Sequence, residues 1–144
     1  APHFDVVHSL ASEKIARRLN DARPSDRPPL KAFIQVNLVN ESAKNGVAPK
    51  ALPSLVTMMK DCQNLQLLGL MAMPPATFDL AERHTFFSEL AGLGAQIKDD
   101  FDLPHFQELS MGMSDDLETA IACGATWLRV GTAIFGARQS QQET

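Results

Sequence analysis

Short apolar runs alternate with longer amphipathic ones along this chain. Phe4–His8 (FDVVH), Leu30–Leu38 (LKAFIQVNL), Leu65–Met73 (LQLLGLMAM), Phe106–Met111 (FQELSM) and Trp127–Val130 (WLRV) read as strands. Leu65–Met73 is nearly all apolar, as a parallel strand covered on both faces is, and Pro74-Pro75 ends it. Between these runs the period becomes helical. Ser9 or Ser12 can cap a helix carrying Ile15, Ala16 and Leu19. Pro49–Cys62 places Leu52, Leu55, Val56 and Met59 along one side, with Pro53 near the first turn, where proline is tolerated. From Thr77 to about Asp100, Leu80, His84, Phe87, Leu90 and Leu93 share much of one face. Asn20–Pro29, Asn40–Gly46 and Asp99–Pro104 read as loops, and Gln139–Thr144 as a polar tail.

Regular alternation of strand and helix predicts an α/β fold with a parallel sheet and helices outside. The pattern holds five strands, whereas a closed (β/α)8 barrel has eight.

The densest information lies in Phe106–Gly136. Gly112 follows a strand and lets the chain turn close to another group. Ser114 is placed as a helix N-cap, with Asp115 and Asp116 in the first turn. Leu117, Ala120 and Ile121 fall on one helical face, and Gly124 suits the helix stop. Trp127–Val130 returns as a strand, and Gly131-Thr132 opens another turn. Two successive strand-to-helix turns, each with a glycine and a hydroxyl, suit a phosphate, because N–H groups at helix starts carry partial positive charge. Each signal has a structural alternative: Ser114 as a cap only, Gly131 as a turn residue only. Asp115 and Asp116 would repel a phosphate and are expected to point away. Arg129 lies in an apolar strand and needs a partner, either a ligand or a carboxylate on a neighbouring strand.

ELSMGMSDDLETAI followed by LRVGTAIFGAR resembles the pyridoxal-phosphate homeostasis protein family, of the alanine-racemase-like N-terminal-domain type. FDVVHSLAS, IQVNLVNESAKNGV and LLGLMAMPP resemble it too, so the likeness covers nearly the whole chain. It implies a partial (β/α)8 TIM barrel, about strands 4 to 8 with their helices, lacking the first three βα units. Residues 1–144 would then be the C-terminal portion of a single barrel domain. Members of the family are longer at the N-terminus, where the lysine that forms the Schiff base lies. The chain opens on Ala1-Pro2-His3 without an initiator Met, and a fragment is expected.

The resemblance implies pyridoxal 5′-phosphate (PLP) at the C-terminal ends of the strands. Carried over by position, Ser114, Gly131 and Thr132 hold the phosphate, with backbone N–H groups near Gly112 and Met113; Arg129 faces the pyridine nitrogen, and Met71 touches the ring. No catalytic or metal-binding residue is expected. A guanidinium stays protonated and disfavours protonation of the ring nitrogen, so the ring is a poor electron sink. A PLP-binding protein that sequesters the cofactor and supplies it to apo PLP-dependent enzymes is therefore the first reading. The alternative is a PLP-dependent amino-acid racemase, which needs acid–base groups on both faces of the ring; the chain has no tyrosine and no histidine near the two turns. A phosphate-sugar barrel enzyme without pyridoxal is the third reading, and the position of Arg129 argues against it. Lys44 sits in a polar loop at a strand's end, flanked by Ala43 and Asn45 where the family has serine, and reads more readily as a solvated loop lysine. His8 ends a strand and is a weaker site candidate.

Composition narrows the partners. A formal charge of −4 with no basic stripe argues against nucleic acid. Cys62 and Cys123 lack metal-type spacing and read as reduced thiols of a cytoplasmic protein. The apolar run Leu65–Pro75 is too short to span a bilayer, and no signal peptide is visible. Open edges of an incomplete barrel predict an oligomer, a swapped assembly or half of a nicked protein.

Overall fold

The computed structural model describes residues 2–40 and 46–137. Among these, four strands, β1 (Val6–Leu10), β2 (Leu30–Gln35), β3 (Leu65–Met71) and β4 (Glu108–Ser110), form one sheet in the order β1-β2-β3-β4. Each of their pairings is parallel. The connections carry α1 (Glu13–Ala22), α2 (Leu52–Met59) and α3 (Leu80–Asp100), and α4 (Leu117–Ala122) and α5 (Thr132–Phe135) follow β4. The α/β alternation and the parallel sheet are as the sequence pattern predicts.

Local chemistry sets the helix ends. Ser12, not Ser9, caps α1, its Oγ accepting from the Ile15 N–H at 3.2 Å. Ala48 leads into a turn of 3₁₀ helix, Pro49–Ala51, before α2 begins, so the expected helix starts later than Pro49. The Asp79 side chain accepts from the Glu82 N–H and Glu82 returns the bond to the Asp79 N–H, both at 2.8 Å, a capping box that delays α3 to Leu80.

The two sheet faces differ. Leu30, Ala32 and Ile34 join Leu52, Leu55, Val56, Met59, Phe87 and Leu90 in one large core beneath the helices. All four apolar positions expected of α2 are buried. In α3 the buried face is Phe86, Phe87, Leu90, Gly94 and Ile97, and Leu80 is 59% exposed rather than buried, because it opens the helix beyond the edge of the core. On the other face Phe33, Leu68 and Met71 form a separate small cluster.

The strand expected at Trp127–Val130 is reduced to a single parallel bridge between Ser110 and Trp127. The segment does run alongside β4: Trp127 N–H donates to Leu109 O, Met111 N–H to Trp127 O and Arg129 N–H to Gly112 O, at 3.0, 3.1 and 3.0 Å. Among the described residues no strand pairs with its other side, so the ladder stays one-sided and short.

Candidate functional site

The sheet's C-terminal rim gathers most of the residues expected to be functional. Beyond β4, Gly112 adopts φ +99, and a Cβ there would meet Ala120 Cβ at 2.6 Å and Leu128 Cδ2 at 3.0 Å. Only glycine fits both the dihedral and the space. The chain therefore turns tightly at Gly112, as the sequence predicts.

The next residues depart from expectation. The helix begins at Leu117 rather than at Ser114, and its cap position, Asp116, makes no capping bond into the helix. Asp116 turns back instead, its Oδ1 accepting from the Met113 N–H at 2.7 Å and its Oδ2 from Arg83 Nη1 at 2.9 Å. The Met113 N–H, expected near the phosphate, is thus committed to a carboxylate. Ser114 is released from capping its own helix. Its Oγ accepts from the Ala133 N–H, 3.2 Å away in the first turn of α5. That contact joins the corner after β4 to the corner after Trp127–Val130. At the second corner Gly131 precedes α5 with no side-chain cap, and a Cβ on it would meet nothing within 4 Å. Thr132 is exposed beside it.

Arg129 turns inward. Nη2 donates to Ala72 O at 3.0 Å and Nη1 to Met71 Sδ at 3.3 Å. Its Nε is buried without a hydrogen-bond partner. Burial lowers the guanidinium's pKa, and the nearby Asp116 charge works in the opposite direction. The alternative of a carboxylate on a neighbouring strand is not realised among the described residues, where Arg83 holds the ion pairs with Asp115 and Asp116. Met71 is 4% exposed and belongs to the inner cluster, while Met113 is 41% exposed.

A second group on this face contains His8, the weaker candidate, which lies within β1 rather than at its end because the strand runs on to Leu10. His8 Nδ1 lies 2.7 Å from Ser110 Oγ. Its ring stacks on Phe33 at 4.6 Å and meets Trp127 edge-on at 5.4 Å. Burial, and then the Arg129 charge, lower its pKa below 6.5. The signal was available: Ser110 interrupts an apolar strand, and a buried hydroxyl needs a partner. Arg83, in a helix rich in charge, gave no such signal. It donates to Phe78 O and Ala76 O, at 3.0 and 3.3 Å, as well as to both aspartates. Lys44 lies outside the described residues. No group of three potential metal ligands occurs among the described residues, and none of their helices is long and apolar enough to cross a membrane.

A parallel α/β sheet with two adjoining glycine corners at its C-terminal rim is the class of protein that this fold defines. The alanine racemase N-terminal domain model matches residues 1–139, and the chain belongs to that family. It is 49% identical over 138 residues to the pyridoxal phosphate homeostasis protein of Pseudomonas aeruginosa, covering 96% of this chain and 58% of that protein. The protein of the same name from Escherichia coli K12 is 42% identical over 138 residues, with the same coverage of 96% and 58%. Among solved structures, PipY of Synechococcus elongatus with PLP bound superposes with a TM-score of 0.86 at 34% identity, covering 93% of this chain and 62% of that one. A lysine/ornithine decarboxylase from Vibrio vulnificus, at 16% identity and a TM-score of 0.55, shares the fold alone. The chain thus spans 58% of the length of those two homeostasis proteins.

Proposed function

We propose that this chain is the C-terminal portion of a (β/α)8 barrel, strands 4 to 8, that binds PLP at the strand ends and serves cofactor homeostasis. The observation that carries the reading is the Ser114–Ala133 contact, which brings two glycine corners together beside an inward-facing Arg129. Three features of the residues present support the cofactor reading. Gly131 leaves open space, Ser114 and Thr132 offer hydroxyls, and the orphaned Nε of Arg129 marks a polar site wanting a partner. Ser114, Gly131 and Thr132 would hold the phosphate, with the backbone at Gly112; Arg129 would face the ring nitrogen and Met71 the ring. Met113 would contribute through its place in the loop, since its N–H is committed to Asp116.

When bound, PLP supplies a reactive aldehyde and a ring able to accept electrons. What this chain contributes is retention. A permanent cation at the ring nitrogen keeps that nitrogen unprotonated and the ring a weak acceptor, which suits a carrier better than a racemase. His8, on which the Arg129 charge acts, is already engaged by Ser110, Phe33 and Trp127, so it is poorly disposed as a racemase base. The names of the homeostasis proteins and the bound PLP of PipY support the carrier reading. In that role the recipients are apo PLP-dependent enzymes. A cytoplasmic setting agrees with two free cysteines, Cys62 and Cys123. The test is binding of PLP to the chain, followed by transfer to an apo PLP enzyme. Retention without transfer would remove the supply role; turnover of alanine or serine between enantiomers would favour the racemase.

A further inference from the structure

Two carboxylates stand on the loop that carries Ser114, which is an awkward place for them beside a phosphate. Asp115 is 73% exposed and Asp116 only 3%. Arg83, 13% exposed, meets both through Nη1, at 3.2 and 2.9 Å. Its remaining nitrogens bind the loop before α3: Nε donates to Phe78 O and Nη2 to Ala76 O. One guanidinium thus fastens the β3–α3 loop to the β4–α4 loop. Through Asp116, which also takes the Met113 N–H, it fixes the path of the backbone immediately before Ser114. Planar, five-donor geometry allows all four acceptors at once, which a lysine could not reproduce.

We propose that Arg83 is a positioning residue for phosphate recognition: its single positive charge offsets one of the two negative charges of Asp115 and Asp116 and holds both carboxylates away from the ligand, so that Ser114 reaches across to the second corner. The inference rests on the reading that the two corners bind the phosphate of PLP. It assigns a role to a helix residue that touches no cofactor. Without Arg83 the aspartates stand as unscreened negative charge beside a dianionic group, and the buried Asp116 loses its main counter-charge.

The experiment titrates the chain with pyridoxine 5′-phosphate, which has no aldehyde to react with lysines, and in parallel with pyridoxine. Arg83→Met is expected to weaken the phosphorylated ligand about tenfold, roughly the effect of one charge-assisted contact. Pyridoxine binding is expected to be unchanged. Adding Asp115→Asn and Asp116→Asn is expected to restore most of the loss, since the amide oxygen of the second substitution still accepts from the Met113 N–H while the charge is gone. Should Arg83→Met not fold, the Asp115→Asn/Asp116→Asn pair carries the test and is expected to bind the phosphorylated ligand at least as tightly as the unsubstituted chain. Unchanged affinity in Arg83→Met, equal loss of both ligands without rescue, or weaker phosphate binding in the double asparagine variant would each overturn the proposal. Failure of the unsubstituted chain to bind pyridoxine 5′-phosphate would overturn the cofactor reading, and this proposal with it.

Discussion

Ser114 Oγ and the backbone nitrogen of Ala133 lie 3.2 Å apart, across two corners that belong to different turns of the chain. The hydroxyl accepts an N–H that has no partner within the four-residue helix α5. A phosphate seated there would compete for the same N–H and receive the hydroxyl as donor. Ser114→Ala is therefore expected to weaken binding of pyridoxine 5′-phosphate by about ten- to a hundredfold, the range for a hydrogen bond to a charged group. Thermal stability should change little, since the bond it removes is exposed. Isothermal titration and a melting curve on the same preparation check both halves.

Arg129 should show the opposite balance between stability and function. Its Nε is buried and unsatisfied, and its charge is held partly out of water. Arg129→Met removes that cost while keeping an apolar stem beside Met71. The variant is expected to melt at the same or a higher temperature than the unsubstituted chain and to bind the cofactor more weakly. A clear loss of stability with unchanged binding would show that the guanidinium is structural.

Gly112→Ala should damage the fold and the site together. The new Cβ would sit 2.6 Å from Ala120 Cβ on a backbone of φ +99. Either β4 and α4 separate or the turn changes conformation. A loss of about 3 kcal/mol is expected in urea unfolding, the sum of a strained dihedral and overpacking.

The pH dependence of stability follows from His8. Its folded pKa lies below 6.5, because burial and then the Arg129 charge disfavour the imidazolium. Between the folded value and 6.5 the unfolded chain binds more protons, so stability rises with pH in that window. The contribution is complete above 6.5 and is lost as pH falls through the folded pKa. Melting temperatures measured between about pH 7.5 and pH 5.5 should therefore fall on acidification. His8→Gln, which can keep a bond to Ser110, should flatten that fall.

We propose that two copies of this chain associate through sheet edges that no described strand covers. The segment Trp127–Arg129 pairs with β4 on one side, and Phe4, Ile134 and Phe135 are 63%, 67% and 85% exposed. Light scattering should show a dimer or a larger assembly; a stable monomer with a cooperative melt would contradict it.

Much of this was legible in residue order. Leu52, Leu55, Val56 and Met59 announce the buried side of α2 because nothing competes with their spacing. Gly112 and Gly124 mark tight turns because their positive φ leaves few other residues possible. What the chain order hides is contact between distant positions. Asp116 looked like an ordinary first-turn acid, but Arg83, thirty-three residues earlier, draws it out of that role and shifts the helix start to Leu117. The bond from Ala133 to Ser114 is likewise invisible until the corners meet in space. Trp127–Val130 has a strand's composition, yet a ladder needs two strands, and composition does not count them.

The central claim is that the two corners are one site for the phosphate of PLP. An amide-resolved NMR titration of the isotopically labelled chain with pyridoxine 5′-phosphate tests it most directly. Saturable shifts should gather at Gly112, Ser114, Gly131, Thr132 and Ala133, together with the Arg129 side chain, and excess inorganic phosphate should reverse the Arg129 shift while still perturbing the corners. Shifts gathered elsewhere, or none that saturate, would contradict it.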